Sequence, residues 1–358
     1  MPAKVYKDML EVMAKRGGPY SGADIPEFYS LMEELFTPEE AEVNNALPRQ
    51  PLTAEELAAQ TGRDAEGIRM LLEGMADKGL CATFVHDGKR VYQGVPFMPG
   101  LFEFLFIPGR VTERDKRIAN LIHTYKKAFL AAKGTPKAGF PLTRVITVDR
   151  KVRAGNRIHT YDQVATYIDK YETIGVGTCF CRHAAHLRGE DTHGMPSDVC
   201  MWFGERAEYA VERLSTRKVT KKEALEVLNR AEEAGLLHMS RNTTEEIDFL
   251  CNCDRWNCEV VTQILRHPKP GRLFNSGFRP NLDSERCTGC GVCIGRCPPE
   301  ALKMDGGTTP VLDTDRCFGC AVCASGCPED AIEMERRPEW PEPPKNLKEL
   351  ITAIKASK

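Results

Sequence analysis

One short cysteine pattern occurs twice near the C-terminal end of the chain. Each copy reads C-x2-C-x2-C-x3-C-P, and the second copy begins thirty positions after the start of the first. The eight cysteines are Cys287, Cys290, Cys293 and Cys297 in the first copy and Cys317, Cys320, Cys323 and Cys327 in the second. With this spacing the chain forms a tight turn, so that three thiolates point into one cavity while the fourth cysteine leaves on a short helix. That geometry suits a 4Fe-4S cube. The pattern therefore predicts two iron-sulfur clusters.

The duplicated stretch, Arg286 to Met334, resembles the bacterial dicluster ferredoxins. In such two-cluster proteins the fourth cysteine of each copy ligates the other cluster. The resemblance implies one cube bound by Cys287, Cys290, Cys293 and Cys327, and a neighbouring cube bound by Cys317, Cys320, Cys323 and Cys297. Zinc is the alternative, because four thiolates can also bind zinc. Zinc ribbons, however, pair two separated C-x2-C hairpins, whereas here three cysteines fall within seven residues.

A second group of cysteines lies in the middle of the chain. Its six members are Cys179, Cys181, Cys200, Cys251, Cys253 and Cys258. In a reducing compartment such a group is more often a metal site than a set of disulfides. The C-x-C pair at 179 and 181 can give two thiolates to one metal, and Cys200 with one or two of the later cysteines would complete the set. We expect a third iron-sulfur cluster or a zinc ion here, with the choice of ligands open.

Histidines and an arginine beside the first of these cysteines leave room for other ligands. His183 and His186 lie one helical turn apart, and His193 follows nearby, so a mixed Cys/His site is possible. Arg182 could donate hydrogen bonds to a cluster and so tune its potential.

The order of segments resembles the 4Fe-4S binding proteins of anaerobic bacteria and archaea. The shared features are a helical and winged-helix N-terminal half, a C-x-C-R segment, a later cysteine, a C-N-C segment and a C-terminal dicluster ferredoxin. Asp254 and Glu259 stand where further cysteines would be expected. The resemblance implies electron transfer in anaerobic metabolism and supplies no substrate.

Periodicity, capping residues and turns predict an α+β, multi-domain chain, since 358 residues exceed what one core usually serves. The expected order is a helical lead-in at 1–50, a winged-helix-like module at 51–96, a basic and Cys-rich α/β middle domain at 97–280, the ferredoxin domain at 281–337, and a proline-rich spacer with a terminal helix at 338–358. The terminal helix is expected to fold back on the chain, with docking on a partner as the alternative.

Charge is segregated along the chain. Residues 104–160 contain thirteen basic and three acidic side chains, and residues 281–335 contain four basic and ten acidic ones. A cationic segment attracts anions such as a nucleotide, an acidic partner or the chain's own ferredoxin domain. The second helix of the winged-helix-like module, Asp64 to Lys78, has four acidic and two basic side chains. Phosphate neutralisation requires the opposite balance, so nucleic acid is not an expected partner.

These features together predict a cytoplasmic iron-sulfur electron-transfer protein that serves one or more redox partner proteins. No apolar run approaches the length of a membrane span, and the first residues do not resemble a signal peptide. Whether the chain is itself an enzyme stays open, as does a homo- or hetero-oligomeric state. Two alternatives are an oxidoreductase with its own active site at the middle cysteines and a redox-sensing DNA-binding regulator that uses the winged helix.

Overall fold

A computed structural model describes residues 3–17, 20–134, 141–148, 164–245 and 247–357. Helices and strands are mixed, as the α+β prediction requires. The chain divides into two compact units made of non-contiguous segments. The first contains Met1–Lys137, Gly177–Asp191 and Ala207–Arg217, and the second contains Ala138–Val176, Thr192–Arg206 and Lys218–Lys358. The segment predicted as one middle domain, 97–280, is thus shared between the two units, and the ferredoxin segment belongs to the second.

The N-terminal part of the first unit is largely helical. Its elements are α1 (Lys4–Arg16), α2 (Pro26–Leu35), α3 (Pro38–Ala46), α4 (Ala54–Thr61), α5 (Ala65–Asp77), β1 (Ala82–His86), β2 (Lys89–Gln93), α6 (Phe102–Phe106) and α7 (Glu113–Lys133). The predicted helix, turn, helix and hairpin at 51–96 occur in that order. Thr53 and Glu56 form the predicted capping box of α4. Asp87 and Gly88 both have positive φ in the hairpin turn, which matches the twist of the two strands.

The central elements follow. They are β3 (Thr143–Ile146), α8 (Val164–Lys170), β4 (Ile174–Gly177), α9 (Phe180–Leu187), β5 (Cys200–Phe203), α10 (Glu205–Arg213), β6 (Arg217–Lys218), α11 (Lys221–Glu233), β7 (Leu237–Arg241), β8 (Phe249–Cys253) and α12 (Glu259–Ile264). Residues 135–140 and 149–163, with several cations of the basic segment, lie outside the described residues.

A six-stranded sheet with the order β3-β7-β8-β5-β4-β6 organises the second unit. Its two faces pack differently. Met201 and Leu250 on one face join a core completed by apolar side chains of α8 and α11. Leu237 and Met239 on the other face join a core with Val261 of α12. Because both faces are covered, the sheet can place small side chains in a dry environment on either side.

The C-terminal elements are β9 (Phe278–Leu282), α13 (Val292–Arg296), β10 (Leu302–Lys303), β11 (Val311–Leu312), α14 (Val322–Ser325), β12 (Ile332–Arg336) and α15 (Leu347–Ala356). β9 pairs with β12 and β10 pairs with β11, both antiparallel. The spacer before α15 is bound to the second unit, since the Thr244 and Glu245 amides donate to the carbonyls of Pro344 and Lys345. Leu350 of α15 is fully buried, so the tail folds back on its own unit.

Candidate iron-sulfur sites

Two cavities lie in the duplicated segment. The cysteines that line the first are Cys287, Cys290, Cys293 and Cys327. The cysteines that line the second are Cys297, Cys317, Cys320 and Cys323. Each cavity takes three cysteines from one copy of the pattern and the fourth from the other copy. This is the grouping that the ferredoxin resemblance implies. Four thiolates around one cavity are the donor set of a 4Fe-4S cube, so these residues fit two clusters.

Backbone turns position the cysteines. Gly319, between Cys317 and Cys320, has a φ of +68° in the left-handed region. A Cβ on Gly319 would lie 2.3 Å from the carbonyl oxygen of Phe278, so only glycine fits. The loop before Cys317 is closed by Asp313, whose side chain accepts hydrogen bonds from backbone amides two and three residues later.

Backbone amides also point at the sulfurs. The amides of Ala301, Gly319 and Ala331 donate to Cys297 Sγ at 3.2 Å, Cys317 Sγ at 3.4 Å and Cys327 Sγ at 3.3 Å. Hydrogen bonds of this kind stabilise a thiolate and raise the potential of a bound cluster. Both cavities therefore have the polar contacts that adjust a cluster's potential.

The two cavities differ in their exposure. All four cysteines of the second cavity are buried, whereas Cys290 of the first is exposed. The valines at equivalent positions of the two copies differ in the same way. Val292 of α13 is 40% exposed, whereas Val322 of α14 is only 1% exposed. Burial raises the pKa of the Cys317 thiol to about 12. The first cavity is consequently the one within reach of solvent or of a partner.

Three of the middle cysteines lie together in the second unit. Cys251 and Cys253 are two residues apart on β8 and project from the same face, and Cys258 immediately precedes α12. The Cys253 thiol shares hydrogen bonds with the thiols of Cys251 and Cys258, and these contacts together with burial hold its pKa well above the usual range. The fold thus brings the Cys253 thiol into contact with two other thiols, whereas the sequence shows only a loosely spaced group of six cysteines.

Asp254 shapes the loop between these cysteines. Its carboxylate is buried and accepts hydrogen bonds from the backbone amides of Trp256 at 2.8 Å, Asn257 at 2.5 Å and Cys258 at 3.3 Å. In the sequence, Asp254 stands out only as a departure from the family pattern. Its role was missed, although an aspartate that can close an Asx turn ahead of a helix is a recognisable signal.

The remaining middle cysteines belong to different units. Cys200 opens β5 of the second unit and is buried. Cys179 and Cys181 are buried at the start of α9 in the first unit, next to the fully buried Arg182. The structure therefore brings together the β8 and α12 cysteines within one unit and places the C-x-C pair in the other.

The candidate histidine ligands make other contacts. His183 Nε2 lies 2.8 Å from the carbonyl oxygen of Arg110, so this nitrogen is a donor. Burial lowers the pKa of His183. The ring of His193 stacks on Trp256 with the centroids 4.4 Å apart.

The described part of the chain contains no site for a single metal ion. Within it, no three cysteine, histidine, aspartate or glutamate side chains converge closely enough to bind one metal ion. The eight ferredoxin cysteines fall under the same statement, because a cube of four irons separates its thiolates more widely than one ion does. The eight ferredoxin cysteines are arranged around two cavities, which favours clusters over zinc in that segment.

A comparison with protein-family models finds the 4Fe-4S dicluster domain at residues 280–334. No curated protein and no solved structure matches the chain. The family match supports iron-sulfur electron transfer by the C-terminal segment. Among the described residues, no helix combines the length and apolar character that crossing a bilayer requires.

Proposed function

We propose that this chain is an electron-transfer protein that binds two 4Fe-4S clusters and passes single electrons to a redox partner. The observation that supports the proposal most directly is the pair of cavities, each lined by four cysteines drawn from both copies of the pattern. Bound clusters would supply one-electron redox chemistry. The chain's own contribution is to bury the cysteines and to donate amide hydrogen bonds to their sulfurs.

The difference in exposure suggests a direction for the route. The first cube, beside the exposed Cys290 and Val292, would exchange electrons with a partner. The second cube, with four buried cysteines, would exchange them inward. The acidic ferredoxin segment suits docking on a basic partner surface, because charge complementarity speeds encounter. We also propose that the protein is cytoplasmic, because thiols stay reduced in that compartment. Its proposed role is in anaerobic metabolism.

A third metal centre at the middle cysteines is part of the same proposal. The contacts of the Cys253 thiol with the thiols of Cys251 and Cys258 favour it. If such a centre has an open coordination position, the chain would be an oxidoreductase with its own active site instead of a carrier. A centre with four protein thiolates would make it a carrier.

The direct test is iron and acid-labile sulfide per chain after anaerobic purification, with low-temperature EPR of the reduced protein. The ferredoxin segment alone accounts for about eight irons. Cys290→Ala should remove the first cluster and Cys320→Ala the second, each with a loss of about four irons. The buried Cys81 lies in the first unit, so Cys81→Ala serves as the matched control and should change neither value. Iron contents that do not respond to the two ferredoxin variants would refute the proposal.

A further inference from the structure

We propose that Cys200, Cys251, Cys253 and Cys258 bind a third iron-sulfur cluster, and that this cluster exchanges electrons with the second cube. The ligand assignment depends on the second unit alone. The electron exchange rests on the proposed function.

The sheet register brings Cys200 into the set. β5 and β8 are antiparallel, with Met201 opposite Leu250. One further step in this register places Cys200 opposite Cys251. Directly opposite residues share a face and have Cβ atoms about 4.5–5.5 Å apart. The Asn252 side chain holds this end of the pair together, because its amide donates to the carbonyl of Val199 at 2.6 Å.

The alternation of side chains identifies the face. Met201 and Leu250 belong to the core that α8 and α11 cover. Their neighbours Cys200 and Cys251 therefore point to the opposite face. Cys253, two residues beyond Cys251, lies on that face in the core that contains α12. Three cysteines from two adjacent strands thus share one side of the sheet.

The fourth cysteine comes from the loop after β8. Cys258 is buried in the same core as Cys253, and the two thiols share a hydrogen bond. The buried Asp254 carboxylate fixes the intervening loop through three backbone amides. Strand pairing and this loop together supply four thiols, the complete donor set of a 4Fe-4S cluster, within one unit. Iron binding would displace the four thiol protons.

The four-cysteine site lies next to the second cavity. Cys253 and Cys258 share their apolar core with Phe318 and Cys320, and Cys320 is one of the cysteines that line that cavity. From the other side, Arg255 pairs with Glu300, three residues after Cys297 of the same cavity. Because Cys253 and Cys258 of the site share one dry core with Cys320 of the cavity, the route for an electron between the two is short. The step is simple: the second cube loses one electron and the third cluster gains it.

The test uses the whole chain, reconstituted anaerobically with iron and sulfide and assayed for iron, sulfide and zinc. We expect about twelve irons in the wild type and about eight in each of Cys200→Ala, Cys251→Ala, Cys253→Ala and Cys258→Ala. The rival ligands are tested by Cys179→Ala and Cys181→Ala, which should retain about twelve. Cys81→Ala, another buried cysteine, is the matched control and should also retain about twelve.

Each alternative result overturns the assignment. About eight irons in the wild type would exclude a third cluster, and zinc in place of the missing four irons would mean a zinc site. Loss of iron in the Cys179→Ala or Cys181→Ala variant would show that the ligand set is wrong.

Should the alanine variants not fold, EPR of the fully reduced wild type decides instead, with about three spins per chain expected and two contradicting the proposal. Interaction between the spins of the second and third clusters should broaden their signals. Three non-interacting spins would refute the electron route while leaving the ligand assignment standing. A failure of the two-cube function would appear separately, as an unchanged iron content in the Cys290→Ala and Cys320→Ala variants.

Discussion

Gly326→Ala is expected to destabilise the second unit, because the space above Gly326 is occupied by the side chain of Arg296. These two positions are equivalent in the two copies of the cysteine pattern, thirty residues apart. A Cβ at position 326 would lie 2.1 Å from Nε and 2.4 Å from Cδ of Arg296. The φ of Gly326 is −103°, so alanine adopts this backbone conformation without strain. The effect of the substitution must therefore come from displacing Arg296.

The magnitude follows from what Arg296 binds. Its guanidinium donates to the carbonyls of Glu232 at 2.7 Å, Glu233 at 3.0 Å and Val322 at 3.3 Å. The first two carbonyls end α11, so the positive charge also faces the negative end of that helix. A hydrogen bond from a charged donor contributes about 1.5–3 kcal/mol and the helix dipole about 0.3–1 kcal/mol. Arg296 is half-buried, so water replaces part of these contacts, and we expect a total loss of about 2–4 kcal/mol.

A double-mutant cycle separates this effect from others. Wild type, Gly326→Ala, Arg296→Ala and the double variant are unfolded in urea without oxygen, and the rate is followed by cluster absorbance and far-ultraviolet circular dichroism. Rates are used because bound clusters make unfolding irreversible. In the wild-type background, Gly326→Ala should accelerate unfolding. The upper limit is about 30-fold for a loss of about 2 kcal/mol and about 900-fold for a loss of about 4 kcal/mol. In the Arg296→Ala background it should be neutral or stabilising by about 0.4–1 kcal/mol. An equal acceleration in both backgrounds would refute the reasoning.

Three further perturbations have defined outcomes. Burial alone would raise the pKa of Asp248, but the charges of Arg206 and Arg241 outweigh burial and hold this pKa below its usual range. The stability that these ion pairs contribute is therefore present above about pH 4 and is lost as the pH falls through the lowered pKa of Asp248 in the folded state. Asp248→Asn should cost about 1–3 kcal/mol at neutral pH, because it leaves the partner guanidinium groups with weaker hydrogen bonds, and it should flatten that acid dependence. Parallel acid-unfolding curves for variant and wild type would contradict this. Iron release to a chelator should be biphasic, with a fast phase from the first cube that disappears in the Cys290→Ala variant; a single rate for all the iron would show that exposure does not control release. Asp254→Ala should loosen the loop before α12 and lower the iron content from about twelve to about eight, and an unchanged content would show that the loop needs no such support.

The sequence by itself determined whatever depends on short-range spacing. Three cysteines within seven residues and a fourth before proline define a cluster-binding turn wherever they occur, because the chain has little freedom over such a distance. The capping box at Thr53 and the turn at Asp87 and Gly88 were predictable for the same reason, since each involves residues at most three positions apart. The family match at 280–334 agrees with this local prediction.

Contacts between distant segments were decided only by the tertiary structure. Cys200 and Cys251 are far apart in sequence, and only the register of β5 on β8 places them opposite each other. That register depends on burying Met201 and Leu250 together, and a slip of one residue would turn every side chain to the other face. The burial of the second cavity likewise depends on Phe318, which packs against Phe274 from another part of the chain with the ring centroids 5.2 Å apart. The spacing of the cysteines therefore predicted the kind of chemistry, whereas strand pairing and core packing decided which cysteines meet and which cavity solvent can reach.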